Sequence, residues 1–198
     1  AEGGVATTNK KEIYEIMQAL KSHGITKNKK NFFNKSMGSW YYEQQYLGLN
    51  FRMNEISAAL GLSQLNKINK FVKERNKIAN FYKKNLNKTH LLLPEIKKNF
   101  YSSFHIYVIK IKSKNYKKLQ RKLFDLLRKK NFFVQVHYLP VHLQPYYKKN
   151  FKFKKNSFKS SEKHANSSIS IPIYPGLKRD VLKKIVYIIN NFFKKNAS

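Results

Sequence analysis

A chain of 198 residues with 41% hydrophobic and 15% aromatic residues can bury a core, which excludes a disordered tail or a simple linker. The absence of cysteine excludes a disulfide scaffold, a thiol nucleophile and any Cys-ligated metal. The formal net charge of +31 invites a nucleic-acid reading, yet only five of the 41 basic residues are Arg and the lysines are mixed with 21 Asn along the whole chain. Scattered lysines supply charge without the bidentate geometry that reads phosphates or bases, and Lys, Asn, Ile, Phe and Tyr share A/T-rich codons, so codon bias is the preferred source of the charge.

The first predicted element is a helix from about Lys10 to Lys21, with Ile13, Ile16, Met17 and Leu20 on one face. Asn9 and Glu12 have capping-box spacing, and Gly24 supplies the stop. Residues 26–39 read as an exposed polar loop. A long helix, or two nearly continuous ones, is expected from about Asn54 to Leu86, where apolar residues recur at helical spacing without proline. Pro94 marks a boundary. Beyond it, residues 105–111 (HIYVIKI) predict a strand, 115–130 an amphipathic helix through Leu119, Leu123, Phe124 and Leu127, and 132–138 another strand. A short alternating run from Ser168 and a last helix from Lys178 to Phe193 complete an α/β (α+β) chain. No apolar run approaches the roughly 18 residues that span a bilayer, so no membrane partner is expected.

Two stretches concentrate polar chemistry. VQVHYLPVHLQPYY, residues 134–147, places two His, two Gln, three Tyr and two Pro just after a predicted strand, as a pocket wall would. As a metal site it is weak, because His137 and His142 are five apart across a proline and no carboxylate adjoins them in the sequence. Packing against local backbone accounts for these residues equally well. In WYYEQQYLGLNFRMNEISAALGLSQL, residues 40–65, Asn50 and Arg52 stand just before a helix whose N-terminal end favours anions. The alternative is a turn asparagine and a surface arginine. Asp125 and Asp180 read as surface charges on helices.

Taken in order, AEGGVATTN, SHGI, LGLNFRMNEISAALGLSQL, FHIYVIKI, VQVHYLPVHLQPYY and ISIPIYPGL resemble the DegT/DnrJ/StrS family of pyridoxal-phosphate-dependent sugar-nucleotide aminotransferases, over essentially the whole chain. The resemblance implies the C-terminal portion of the fold-type I aminotransferase fold: residues 1–53 as the end of the large cofactor-binding domain, 54–92 as a linking helix and 93–198 as the small domain. It places the lysine that holds pyridoxal 5'-phosphate as a Schiff base upstream of Ala1, together with the aspartate and the aromatic that hold the cofactor ring, so that no catalytic residue is expected in this chain and the chain alone is expected to be inactive. It implies that Asn50 reaches the cofactor phosphate of a neighbouring subunit in a homodimer, and that Gln135, Val136, His137 and Tyr138 contact the sugar nucleotide, with Arg52 and His142 as further substrate contacts. The branch it resembles transfers an amino group from glutamate to a UDP-4-keto-6-deoxy-HexNAc for pseudaminic acid or another surface glycan, in the cytoplasm. A basic protein binding nucleic acid without specificity and a non-catalytic scaffold subunit are the alternatives.

Overall fold

The leucine spacing of residues 116–129 is the plainest link from sequence to packing. Leu119, Leu123 and Leu127 recur every four residues, and in a computed structural model describing residues 3–154 and 156–196 they form the buried stripe of a helix. Each such leucine stabilises the fold by about 1.5–3 kcal/mol relative to an exposed one. The chain divides into two compact units, residues 1–66 and 67–198. The division falls at Asn66, inside the stretch 54–92 expected as a linking segment.

The first unit contains α1 (Lys11–Leu20), the two-residue antiparallel pair β1 (Ile25–Thr26) and β2 (Glu43–Gln44), and α2 (Glu55–Leu65). The start of α1 differs from the capping-box expectation. Its N-cap is Lys10 with no side-chain cap, and Thr8 Oγ1, not Asn9, accepts the Lys10 N–H at 3.1 Å. The loop expected to be merely polar is organised around Glu43, a buried carboxylate that accepts the backbone N–H groups of Phe33 and Asn34, both at 2.7 Å. Its hydrogen bonds satisfy a charge that would otherwise be costly to bury. Among its described residues this unit buries no large apolar side chain, and α2 is uncovered on every face: Ile56, Leu60, Leu62 and Leu65 are all exposed.

The second unit carries the core. It runs α3 (Ile68–Asn85), β3 (Leu91–Leu92), β4 (Tyr107–Ile111), α4 (Tyr116–Lys129), α5 (Pro145–Phe151), α6 (Lys159–Ser167), β5 (Ser168–Ile171) and α7 (Arg179–Asn196). The sheet order is β3-β4-β5, antiparallel throughout, with Tyr107 opposite Ile171 and Ile109 opposite Ile169. Tyr82, Ile109, Leu123, Ile169, Ile185 and Ile189 meet in the core. Arg75 of α3 donates to the carbonyl oxygens of Phe104, His105 and Ile173, at 3.1, 2.8 and 3.0 Å, tying the end of the sheet where β4 begins and β5 ends to that helix.

The expected strand over 132–138 is not formed. Phe132 and Val134 are buried and Phe133 is exposed, which is the alternation that suggested it, but only Gln135 makes a bridge, to Ser170. β4 is flanked by β3 and β5, and the segment meets the sheet at the outer edge of β5; there it makes the one Gln135–Ser170 bridge, while the Val134 N–H turns back to the Phe132 carbonyl at 3.0 Å. Among the described residues no helix is long and apolar enough to cross a membrane.

Candidate functional site

The position of Asn50 follows from two glycines. Gly24 has φ +69°, and a Cβ there would strike the backbone of Tyr46; a Cβ on Gly48 would strike the backbone of Gly24, His23 and Leu20. Side-chain-free residues at both positions let the 46–51 segment lie directly on the C-terminal end of α1. The contact is sealed by backbone hydrogen bonds from His23 N–H to Leu49, Leu49 N–H to Leu20 and Phe51 N–H to Lys21, at 3.0, 3.0 and 2.9 Å. Asn50 bridges Ser22 within this frame.

Asn50 is exposed, and its Oδ1 accepts the Arg52 N–H at 3.3 Å. This Asx turn occupies the acceptor end of the amide and leaves the Nδ2 end, with two N–H donors, without a partner among the described residues. Arg52 is exposed and pairs with no carboxylate among the described residues. An amide donor and a free guanidinium two residues apart fit a phosphate group. Neither caps α2. Asn54 does so, its Oδ1 accepting the Ser57 N–H at 2.8 Å. Asn50 is therefore a turn residue by its oxygen, as the alternative reading has it, and its nitrogen bonds to nothing among the described residues.

In the second unit, residues 135–138 leave the edge of β5. Gln135 and Ser170 exchange two backbone hydrogen bonds, at 3.2 and 2.8 Å, and His137 Nδ1 lies 2.7 Å from Ser170 Oγ. Tyr138 packs edge-on against the His137 ring at 4.6 Å between centroids and is otherwise exposed, while Val136 is half-buried. Val136, Tyr138, Leu139, Pro140 and Leu143 form the apolar side of a cleft of about 420 Å³, with Lys117, Arg121 and Lys148 on its rim.

His142 lies apart from that exposed face. It is buried, its Nε2 is 3.0 Å from Glu162 Oε1, and the Phe158 ring packs on it at 4.7 Å. The carboxylate missing from its sequence neighbourhood is thus supplied from twenty residues on. The hydrogen bond from His142 holds the Glu162 carboxyl below its ordinary value; burial opposes this, and the Asn156 N–H reinforces it. Among the described residues no group of three or more His, Cys, Asp or Glu could hold a metal ion.

Ser170 and Glu162 were not singled out from the sequence. Glu162 carries a signal nonetheless: it is the only acidic residue between Asp125 and Asp180, in a stretch rich in lysine. Ser170, one of two serines alternating with isoleucine in β5, carries almost none.

The family described as DegT/DnrJ/EryC1/StrS aminotransferase matches residues 1–190. The chain is 35% identical over 196 residues to an uncharacterized protein of Methanocaldococcus jannaschii, covering 98% of this chain and 50% of that protein. It is 33% identical over 199 residues to the UDP-4-amino-4,6-dideoxy-N-acetyl-beta-L-altrosamine transaminase of Helicobacter pylori, covering 98% and 49%. Its structure superposes on Helicobacter pylori PseC, an aminotransferase involved in the biosynthesis of pseudoaminic acid, with a TM-score of 0.79 and 27% identity over 95% of this chain and 48% of that one. The chain spans about half the length of the curated relatives it matches.

Proposed function

Because the chain belongs to the DegT/DnrJ/EryC1/StrS aminotransferase family, we propose that it forms the phosphate-contact loop and the substrate wall of an enzyme that transfers an amino group from glutamate to a UDP-4-keto-6-deoxy-HexNAc. The observation that carries the reading is the exposed Asn50 turn, whose oxygen accepts the Arg52 N–H while its two amide donors bond to nothing among the described residues.

The cofactor of this reading is pyridoxal 5'-phosphate, which when bound supplies the electron sink for moving the amino group. The chain's own residues bind and orient. Asn50 Nδ2–H donates to the cofactor phosphate in a neighbouring subunit's site, and the Arg52 guanidinium adds charge there or on the substrate diphosphate. Gln135, Val136, His137 and Tyr138 wall the sugar nucleotide, with Tyr138 presenting an exposed ring and hydroxyl. His142 supports that wall from behind. The lysine that anchors the cofactor and handles the proton belongs, on this reading, to the part of the enzyme that the chain does not cover. The uncovered apolar faces of α2 fit a surface closed by a homodimer partner or by the rest of the large domain. A cytoplasmic setting, where nucleotide sugars are made, belongs to the same proposal.

The test is co-expression with the segment of the Helicobacter pylori transaminase that the chain does not cover. The assembly should retain pyridoxal phosphate and aminate the 4-keto UDP-sugar with glutamate, while Asn50→Ala should lower cofactor retention without unfolding the chain. A stable assembly that retains the cofactor equally well with Asn50→Ala would overturn the role given to Asn50. One that binds no nucleotide sugar would overturn the substrate.

A further inference from the structure

Glu162 is a buried carboxylate whose two donors meet at one atom. Its Oε1 accepts from His142 Nε2–H at 3.0 Å and from the Asn156 N–H at 2.7 Å, while its own N–H donates to the Phe158 carbonyl at 3.0 Å. His142 and Asn156 lie on opposite sides of α5, so one oxygen joins the two ends of residues 142–156. Phe153 and Phe158 close around the pair, with ring centroids 6.4 and 4.7 Å from the imidazole.

The same element holds the other end of the wall. Glu162 is on α6, and Ser170, which binds Gln135 and His137, is on the β5 strand that follows without a break. The exposed Tyr138 therefore sits between two anchors eight residues apart on one continuous support: Gln135 and His137 on Ser170, and His142 on Glu162, with Pro140 buried between. A short turn fixed at both ends has few conformations left, which is the condition for an exposed side chain to present a defined contact.

We propose that Glu162 is a positioning residue, acting through His142 and Asn156 to clamp residues 142–158 and thereby fix the Tyr138 turn. Its functional meaning rests on the reading that this turn faces a nucleotide sugar. Because both donors use Oε1, glutamine can replace glutamate with its carbonyl oxygen in the same place. Alanine cannot, and would leave a buried imidazole and a backbone N–H without an acceptor.

The experiment is limited trypsin digestion of the full chain, together with NMR of the Tyr138 and His137 ring signals. Glu162→Ala should speed cleavage at Lys148, Lys149, Lys152 and Lys154 on the order of tenfold, leave cleavage at Lys97 and Lys98 unchanged, and shift or broaden the Tyr138 signal. Glu162→Gln should restore both readouts. If Glu162→Ala gives no soluble chain, His142→Phe, which fills the aromatic box without donating, makes the same comparison. Equal protection of the clamp lysines, acceleration at every site alike, or an unmoved Tyr138 signal would overturn the proposal. Titration with UDP is the separate arm: if the clamp responds as described but the wild-type chain binds no UDP, the clamp stands and the substrate reading fails.

Discussion

His137 Nδ1 lies 2.7 Å from Ser170 Oγ, thirty-three residues away along the chain, and the Ser170 side chain is buried beside Ile169 and Ile171. The hydroxyl serves a ring of the candidate substrate wall from a buried strand that alternates serine and isoleucine. Ser170→Ala removes the hydrogen bond and keeps the strand. It should cost about 1 kcal/mol in urea unfolding and mobilise the His137 ring, seen as line broadening of its NMR signals. An unchanged His137 signal would show that the turn is held by its backbone bridge alone.

Asn50→Asp separates the two ends of the Asn50 amide. Aspartate still accepts the Arg52 N–H, so the turn persists, but the outward donor becomes an anionic oxygen facing the proposed phosphate. Circular dichroism and melting should match the wild type, while pyridoxal phosphate retention in the co-expressed assembly should fall further than with Asn50→Ala. Retention at or above that of the alanine variant would place the phosphate elsewhere.

Glu43 makes the first unit acid-sensitive. Burial alone would raise its pKa, but the N–H groups of Phe33 and Asn34, the Gln45 amide and the Tyr41 hydroxyl outweigh burial and bring it from the ordinary 4.5 down to about 2. A carboxylate depressed on folding contributes stability that is full above the unfolded pKa and is lost as pH falls toward the folded one. The 27–45 loop should therefore loosen between pH 4.5 and 2. The fluorescence of Trp40, the only tryptophan, should report it, and Glu43→Gln should shift or flatten the transition.

Regular elements were legible wherever one side chain period dominated. The leucines of α4 and the apolar residues of α7 gave helices with correct faces, and Gly24 marked the chain reversal after α1 through its positive φ. α6 was not legible, because KSSEKHANS has no apolar period and is held by Gln120, which donates to the Ala165 and Ser168 carbonyls at 2.6 and 2.8 Å. The missing strand at 132–138 shows the other limit: alternation records burial on one side, but a ladder needs backbone that stays extended, and here the Val134 N–H turns back to Phe132 and only Gln135 pairs, with Ser170. The candidate site divides in the same way. Asn50 and the 135–138 turn were visible as local concentrations of polar chemistry, whereas Ser170 and Glu162 act from a distance that spacing does not encode.

The contrast between the two units yields the last prediction. Leu123 is fully buried against the sheet, so Leu123→Ala should destabilise the second unit by about 2–5 kcal/mol, through lost transfer energy and the cavity left behind. Leu60 of α2 is half-exposed, and no residue of that helix is buried, so Leu60→Glu should change the chain's own melting by no more than about 0.5 kcal/mol. The exposed apolar residues of α2 gain little from the chain's own cover, and on the proposed reading they are closed by another surface. Burying a glutamate there would leave an unpaired charge in an apolar contact, which is strongly unfavourable. Leu60→Glu should therefore abolish co-purification with the complementary transaminase segment, and self-association of the chain in sedimentation velocity, while Leu123→Ala should weaken them only to the extent that it unfolds the second unit. If Leu60→Glu assembles normally, α2 is not part of the closing surface, and the dimer proposed for this chain must be built from another face.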